Sequence, residues 1–259
     1  MPHANWRELL LSPGLKLGLF AMEFATPGLP MIVQRAGADF LVLDMEHSGF
    51  GFETVKAVCM GGRAAGLPMV VRVAHRHPNE VSRALDMGAD ALMAPLVSTA
   101  EQAREFVAWA TYPPSGGSRG VAMMVAHDAY QPGPAPEKMA AADARKAILI
   151  QIETRAGAEN ADAIAALDGV DCLWIGHMDL SCSLGIPGQF EHPDFLAAEA
   201  QVREAARRHR KAFGRLAASS VEAQSLTARG YDTLGLCSDI MAIHSRVAEG
   251  VALLRGDRQ

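Results

Sequence analysis

Glu153 and Asp179 each close a short apolar run, residues 148–152 and 172–176. Runs of that length read as buried parallel strands, so the two acids stand where neighbouring strands end. Acids at adjacent strand exits suit a divalent cation. Two further runs end in Asp44-Met45-Glu46-His47 and Val71-Arg72-Val73, which add a base and a fixed positive charge. Together these are the groups needed to form an enolate and to return a proton to it.

Glu153 and Asp179 offer only oxygen, so the expected ion is hard: Mg2+ or Mn2+, with Co2+ also accommodated. Two protein ligands leave positions for water and for a 2-keto acid that chelates through carboxylate and keto oxygens. The bland reading is that each acid caps a helix or pairs with an arginine, and Arg155 lies close to Glu153 in sequence. Gln151 shares a strand side with Glu153, so it either donates to substrate or sits as a buried amide in a polar layer. Gly176-His177-Met178-Asp179 can open a short helix whose free amides receive a carboxylate. Arg72 interrupts an apolar run, where a buried charge calls for a partner. That partner is a substrate anion, with Arg72 stabilising an enolate, or else Asp44 or Glu46 in an internal ion pair. His47 has the near-neutral pKa suited to proton transfer and is the candidate base. His75, His77, His127 and His177 compete with it on the same predicted face.

The lysines narrow the chemistry. Lys16, Lys56, Lys138, Lys146 and Lys211 all fall in predicted helices, loops or strand beginnings. A Schiff-base aldolase of barrel architecture needs a lysine inside the barrel, so carbonyl activation falls to the metal. No G-x-S-x-G elbow or phosphate-binding P-loop competes with this reading, since Gly116-Gly117-Ser118-Arg119-Gly120 falls in a proline- and glycine-rich stretch and not on a strand-to-helix turn.

Positioning these groups takes eight β-rich runs, at 17–22, 40–46, 69–73, 91–97, 148–153, 172–177, 212–217 and 233–238. Helix-patterned segments at 53–65, 78–87, 101–109, 157–167, 194–210 and 221–229 lie between most of them, with Ser98-Thr99 as an N-cap signal. Eight alternating units predict an α/β fold closed as a (β/α)8 TIM barrel, in one domain over 1–259. An open doubly wound sheet is disfavoured because no glycine-rich dinucleotide turn follows the first strand. Gly37-Ala38-Asp39, Gly88-Ala89-Asp90, Gly169-Val170-Asp171 and Gly230-Tyr231-Asp232 introduce the second, fourth, sixth and eighth runs. Each glycine suits a left-handed helix end. The proline- and glycine-rich stretch at about 112–145 is read as a wall of the active site or a subunit contact.

Composition fits a core-forming protein: 259 residues, 49% hydrophobic, formal net charge −5. Arg203, Arg207, Arg208, Arg210 and Lys211 are interleaved with acids and lack stacking aromatics, so they read as a solvated helix end and nucleic acid is not an expected partner. Cys59, Cys172, Cys182 and Cys237 lack C-x-x-C spacing, which favours a reducing compartment. The opening Met1-Pro2-His3-Ala4-Asn5-Trp6-Arg7-Glu8 has no leader pattern, and no run approaches the roughly 20 apolar residues of a membrane span. A cytoplasmic protein without membrane partners is expected.

The chain resembles the HpcH/HpaI aldolase family, metal-dependent class II pyruvate aldolases that include 4-hydroxy-2-oxoheptanedioate and 2-dehydro-3-deoxyglucarate aldolases. The likeness rests on Asp44-Met45-Glu46-His47, Val71-Arg72, Leu85-Asp86-Met87-Gly88, Ala94-Pro95-Leu96-Val97, Tyr112-Pro113-Pro114, Gln151-Ile152-Glu153-Thr154-Arg155 and Gly176-His177-Met178-Asp179-Leu180-Ser181. It implies cleavage of a 4-hydroxy-2-keto acid to pyruvate and an aldehyde, or the reverse addition. On this resemblance Glu153 and Asp179 bind the metal, and Gln151, the Met178 backbone and Asp179 meet the keto acid. His47 is then the base acting through water, Arg72 steadies the enolate, and Asp86 raises the basicity of the histidine. Asp86 falls late in a helix, near the end of its barrel opposite His47. It is therefore expected to serve a neighbouring subunit, which makes the protein a homo-oligomer, trimer or hexamer. His177-Met178 replaces the proline and small residue of many relatives, and the loop before Arg119-Gly120 is one residue longer. Two alternatives are an acyl-CoA lyase of the citrate lyase beta or malyl-CoA lyase type, and a non-catalytic barrel that binds keto acids.

Overall fold

All eight apolar runs form strands: β1 (Lys16–Ala21), β2 (Phe40–Asp44), β3 (Met69–Arg72), β4 (Ala91–Ala94), β5 (Ala147–Ile152), β6 (Cys172–Ile175), β7 (Ala212–Leu216) and β8 (Thr233–Ser238). In the computed structural model, which describes residues 5–255, they pair in sequence order, all parallel, and β8 closes on β1. The N-terminal reading of the sequence therefore falls partly on residues 1–4, outside the described part. Around the barrel run α1 (Trp6–Leu11), α2 (Leu29–Arg35), α3 (Phe52–Ala65), α4 (Pro78–Asp86), α5 (Ala100–Ala110), α6 (Ala135–Arg145), α7 (Arg155–Glu159), α8 (Ala161–Ala165), α9 (His177–Ser183), α10 (Pro193–Arg208), α11 (Ser220–Ala228) and α12 (Asp239–Arg255).

Strand periodicity sorts the core into two layers. Leu41, Leu43, Val71, Ile150 and Leu173 pack outward under the helices. Phe40, Val42, Val70, Met93, Leu149 and Trp174 fill the interior, joined by Trp6 of α1, whose ring lies 5.0 Å from that of Phe40. Glycines admit these rings. A Cβ at Gly18 would come within 2.4 Å of the Phe40 ring, and one at Gly214 within 2.2 Å of the Trp174 ring.

The repeated Gly-x-Asp signal has a structural cause beyond the helix end. Gly37, Gly88, Gly169 and Gly230 take φ of 90°, 105°, 86° and 95°. Each following aspartate then reaches back one strand. The carboxylates of Asp39, Asp90, Asp171 and Asp232 accept from the amides of Leu17, Met69, Ile148 and Phe213, at 2.9, 2.9, 2.9 and 3.0 Å. The aspartates precede even-numbered strands and satisfy the start of the odd-numbered strand before, so the motif alternates around the ring.

Two sequence expectations change here. The helix expected over 157–167 is two short helices, divided at Asn160, whose Nδ2 donates to the Ser98 carbonyl at 2.8 Å. The stretch at 112–145 does not wall the strand-exit end of its own barrel. It follows α5, which has already carried the chain back to the opposite end. There the Arg119 amide bonds the Thr111 carbonyl at 2.9 Å, and Arg63, in the last turn of α3, donates to the His127 carbonyl at 3.3 Å. Part of the stretch is helical, as α6.

Beyond Asp239, which accepts from the amides of Met22, Glu23 and Phe24, α12 leaves Ile240, Ile243, Val247, Val251 and Leu254 exposed. Their spacing makes one apolar stripe. Among the described residues no helix is long and apolar enough to cross a membrane. The arginines at the end of α10 are exposed and pair with acids, Arg207 with Glu204 and Arg208 with Asp162.

Candidate active site

Parallel register sets Asp44 beside Arg72 at the ends of β2 and β3. The guanidinium grips the carboxylate as a fork, Nε to Oδ1 at 2.8 Å and Nη2 to Oδ2 at 2.7 Å. Asp44 is fully buried and Arg72 nearly so. Nη1 lies 3.1 Å from Glu46 Oε2 and donates to Gln151 Oε1 at 3.5 Å. Gln151 Nε2 in turn donates to Glu153 Oε2 at 2.7 Å, and the Leu96 amide holds Glu153 Oε1 at 2.5 Å. A continuous polar chain therefore runs from Asp44 through Arg72 and Gln151 to Glu153. Arg72 thus takes the internal ion pair that competed with a free, anion-receiving role in the sequence reading, because two acids reach it from the same strand end.

Burial sets the charges. It pushes the Glu153 carboxyl up to about 7, with the Glu46 and Asp179 carboxylates adding to the rise and the Leu96 amide and Arg72 opposing it. Burial also raises Glu46, against the pull of Arg72 and His47. For Arg72, burial works against the charged form, but the Asp44 bond and the surrounding carboxylates outweigh it and raise its pKa.

A pocket of about 190 Å³ opens over this chain, walled by Phe20, Met22, Trp174 and Leu216. His47, Arg72, Gln151, His177 and Asp179 supply its polar lining. His47 is half exposed, with Nε2 3.9 Å from Glu46 Oε2. Met178 and Asp179 lie exposed in the first turn of α9. A larger cavity, about 400 Å³, lies at the other end of the barrel beneath the 112–145 stretch, away from the strand exits, and its acids are engaged: Asp90 accepts from the Met69 amide and Asp128 pairs with Lys138.

Of the rival histidines, His75 pairs with Glu80, His77 caps α4, and His127 is buried in the 112–145 stretch. His177 lines the pocket, and burial together with the nearby Arg215 charge holds its ring down to about 3. Asp86, at the end of α4, accepts from Arg119 Nη2 at 2.7 Å and does not join His47 within the chain.

The residues present fit a divalent cation. The Asp179 carboxylate raises the pKa of both Glu46 and Glu153, and the cation beside those two, Arg72, is already engaged by Asp44 and Glu46. Among the described residues no three His, Cys, Asp or Glu side chains gather in a ligand cage. Gly176 lets Glu153 and Gln151 approach: a Cβ there would lie 2.3 Å from Glu153 Oε2 and 2.8 Å from Gln151 Nε2.

Leu96 escapes sequence reasoning because its contribution is a backbone amide. Its φ is 53°, in the left-handed region, and the only hint is its place after Pro95 where β4 has ended. Asp44 likewise reads as acidic company for His47, while its grip on Arg72 is one alternative among several.

A closed parallel barrel with acids, an arginine and a histidine gathered at its strand exits has the form of a TIM-barrel enzyme, whose sites lie at that end. The profile of the HpcH/HpaI aldolase/citrate lyase family matches residues 16–245. A 5-keto-4-deoxy-D-glucarate aldolase of Klebsiella pneumoniae is 35% identical over 93% of both chains. A hydroxypyruvate/pyruvate aldolase of Chromohalobacter salexigens is 34% identical over 90% of this chain and 91% of its own. The crystal structure of a family member from Burkholderia cenocepacia superposes with a TM-score of 0.90, at 32% identity, over 97% of this chain and 100% of that one. The chain belongs to the HpcH/HpaI aldolase/citrate lyase family and is an aldolase of that family.

Proposed function

We propose that the protein is a divalent-metal-dependent pyruvate aldolase, splitting a 4-hydroxy-2-keto acid into pyruvate and an aldehyde or joining them. One observation carries this reading: the Glu153 carboxylate is clamped by the Leu96 amide and Gln151 beside Asp179 and a pinned Arg72. Glu153 and Asp179 would hold Mg2+ or Mn2+, with Co2+ also accepted, and the bound ion would supply Lewis-acid polarisation of the keto group.

The side chains do the rest. Gln151, the Met178 amide and Asp179 orient the keto acid. His47, through water, takes the proton of the C4 hydroxyl. The C3–C4 bond then breaks, its electron pair passes into the pyruvate enolate, and the aldehyde leaves. Arg72, held by two acids and so unable to swing away, steadies the negative charge growing on the enolate oxygen. Return of the proton to C3 completes pyruvate.

Asp86 is assigned to the histidine of a neighbouring subunit, whose basicity it raises. Its place at the far end of its own barrel keeps it from His47 of the same chain, and the exposed stripe of α12 supports assembly, for which a trimer or hexamer is proposed. Reduced, unpaired cysteines support a cytoplasmic setting.

Exhaustive chelation should abolish pyruvate release, and Mg2+, Mn2+ or Co2+ should restore it. Glu153→Gln should bind Mn2+ more weakly by isothermal titration. Turnover that survives chelation would refute the metal role. Acetyl-CoA release from acyl-CoA substrates would favour the lyase alternative, and binding without turnover in metal-loaded protein would favour the silent barrel.

A further inference from the structure

We propose that His177 selects the aldehyde, hydrogen-bonding a hydroxyl of a neutral hydroxyaldehyde as that fragment joins or leaves the keto acid. This rests on the aldolase reading above and names the substrate class for the same site.

Every charged, amide or imidazole side chain of the pocket but one has a claim on it. Arg72 is held by Asp44 and Glu46, Gln151 by Arg72 and Glu153, while Asp179 belongs to the acid pair and His47 to proton transfer. His177 remains. Among the described residues no hydrogen bond is made by its ring, although it lines the pocket. Packing holds the ring instead: it stands edge-on to Phe190, centroids 5.0 Å apart at 72°, and Phe190 is edge-on to Phe195 at 5.6 Å. An imidazole fixed by aromatic contact presents its nitrogens in one direction, at little entropic cost to a ligand.

Position gives the part of the substrate. His177 opens α9, two residues before Asp179, beside the keto-acid groups rather than beneath them. Of the neighbouring Phe20, Met22, Trp174 and Leu216, only Trp174 carries an N–H, which donates but cannot accept, so the imidazole is the one side chain of this group able both to donate and to accept. The reacting keto acid engages the acids, Gln151 and Arg72, which leaves His177 for the other fragment.

Charge gives the class. A carboxylate on the aldehyde would need a free cation. Arg215 is the cation nearest to hand, but its side chain is 1% exposed, bonds Glu222 at 2.8 Å and lies over the Phe190 ring at 5.2 Å. Arg72 is already shared by two acids. A hydroxyl suits an imidazole without any charge to balance, and a site with a polar group awaiting a hydroxyl discriminates against the analogue that lacks one.

The test compares glycolaldehyde with acetaldehyde as partners for pyruvate in the Mn2+-loaded protein. Wild type should favour glycolaldehyde in kcat/KM by about tenfold or more. His177→Phe, which keeps the contact with Phe190, should bring the ratio to within about twofold of unity. His177→Asn, which keeps a donor and an acceptor, should retain part of the preference. Should His177→Phe melt early, His177→Asn and His177→Gln carry the comparison. A ratio unchanged across the variants overturns the assignment. So does a wild-type preference for succinic semialdehyde over both neutral aldehydes, since that demands a cation. Exchange of pyruvate methyl hydrogens in D2O by wild type separates the two readings. Its absence sinks the aldolase proposal, while exchange with no aldehyde discrimination sinks only the role of His177.

Discussion

Gly176→Ala probes the site through one added methyl group. Gly176 joins β6 to α9 with φ −86° and ψ 84°, so alanine meets no left-handed strain and the consequence is steric. The new Cβ would lie 2.3 Å from Glu153 Oε2, 2.7 Å from Glu153 Cβ and 2.8 Å from Gln151 Nε2. Ordinary contact requires the carboxylate to withdraw by about 1 Å. It cannot do so freely, because the Leu96 amide holds one oxygen and Gln151 the other. A displacement near 1 Å costs about 100-fold in rate, or about 2.7 kcal/mol of transition-state stabilisation. Overpacking should also destabilise the fold by about 1–3 kcal/mol. At roughly 2–4 °C per kcal/mol the barrel should still be folded at assay temperature. Steady-state pyruvate release, Mn2+ titration and thermal melting are the assays. The expected result is a kcat/KM lower by about 100-fold, weaker Mn2+ binding and a cooperative melt. Activity within threefold of wild type in folded protein would refute the claim that the position of Glu153 governs the reaction.

Arg72→Ala leaves Asp44 buried without its cation and should destabilise the protein by about 3–5 kcal/mol in urea unfolding; an unchanged midpoint would show the pair to be inert. Leu96→Gly relieves the left-handed φ of 53° and should raise the melting temperature, with about 1 kcal/mol at stake. Leu96→Ile, β-branched at that φ, should lower the melting temperature and weaken Mn2+ binding. Identical Mn2+ titrations for Leu96→Ile and wild type would remove the turn from the account of Glu153. Burial lowers the His127 pKa below 6.5, so the folded protein binds that proton less tightly than the unfolded chain. The stability tied to the neutral ring is complete above pH 6.5 and is lost as pH falls from there through the folded pKa. His127→Gln should flatten that part of the stability-pH curve measured by urea unfolding. Parallel curves would show that another group is responsible.

How far the sequence reveals the molecule depends on what each feature needs. The strands are legible because both faces are buried, so each reads as an unbroken apolar run such as 40–43 or 148–150. Their ends are legible too, since a charge such as Asp44, Arg72 or Glu153 after such a run marks where the strand leaves the core. The wall alternative for the 112–145 stretch fails because its place depends on direction, not composition. Thr99 caps α5 in a capping box with Gln102, and the helix then carries the chain away from the strand exits before Tyr112 begins. A helix between a strand and an insertion puts that insertion at the far end. The Gly-x-Asp repeats announce helix ends in sequence, yet the bonds of Asp39, Asp90, Asp171 and Asp232 to the preceding odd strands emerge only when the ring closes.

The same dependence on closure explains why the site holds its acids under tension. Four carboxylates, Asp44, Glu46, Glu153 and Asp179, come together from the ends of β2 and β5 and the start of α9, and the first three share the Arg72 cation. Arg72 gives its strongest bonds to Asp44, the most buried of them, and Glu153 is left with an amide and Gln151. Lifting the Glu153 pKa from 4.5 to about 7 amounts to about 3 kcal/mol against its charged form. A site serving stability alone would relieve that by a second arginine or an apolar residue. Here the surrounding backbone relieves only part of it: the left-handed Leu96 aims one amide at the carboxylate, and Gly176 leaves the space beside it clear. Glu153 is thus kept buried, oriented and short of positive charge, a combination in which its charged form gains from any cation brought beside it, as the proposed metal role requires.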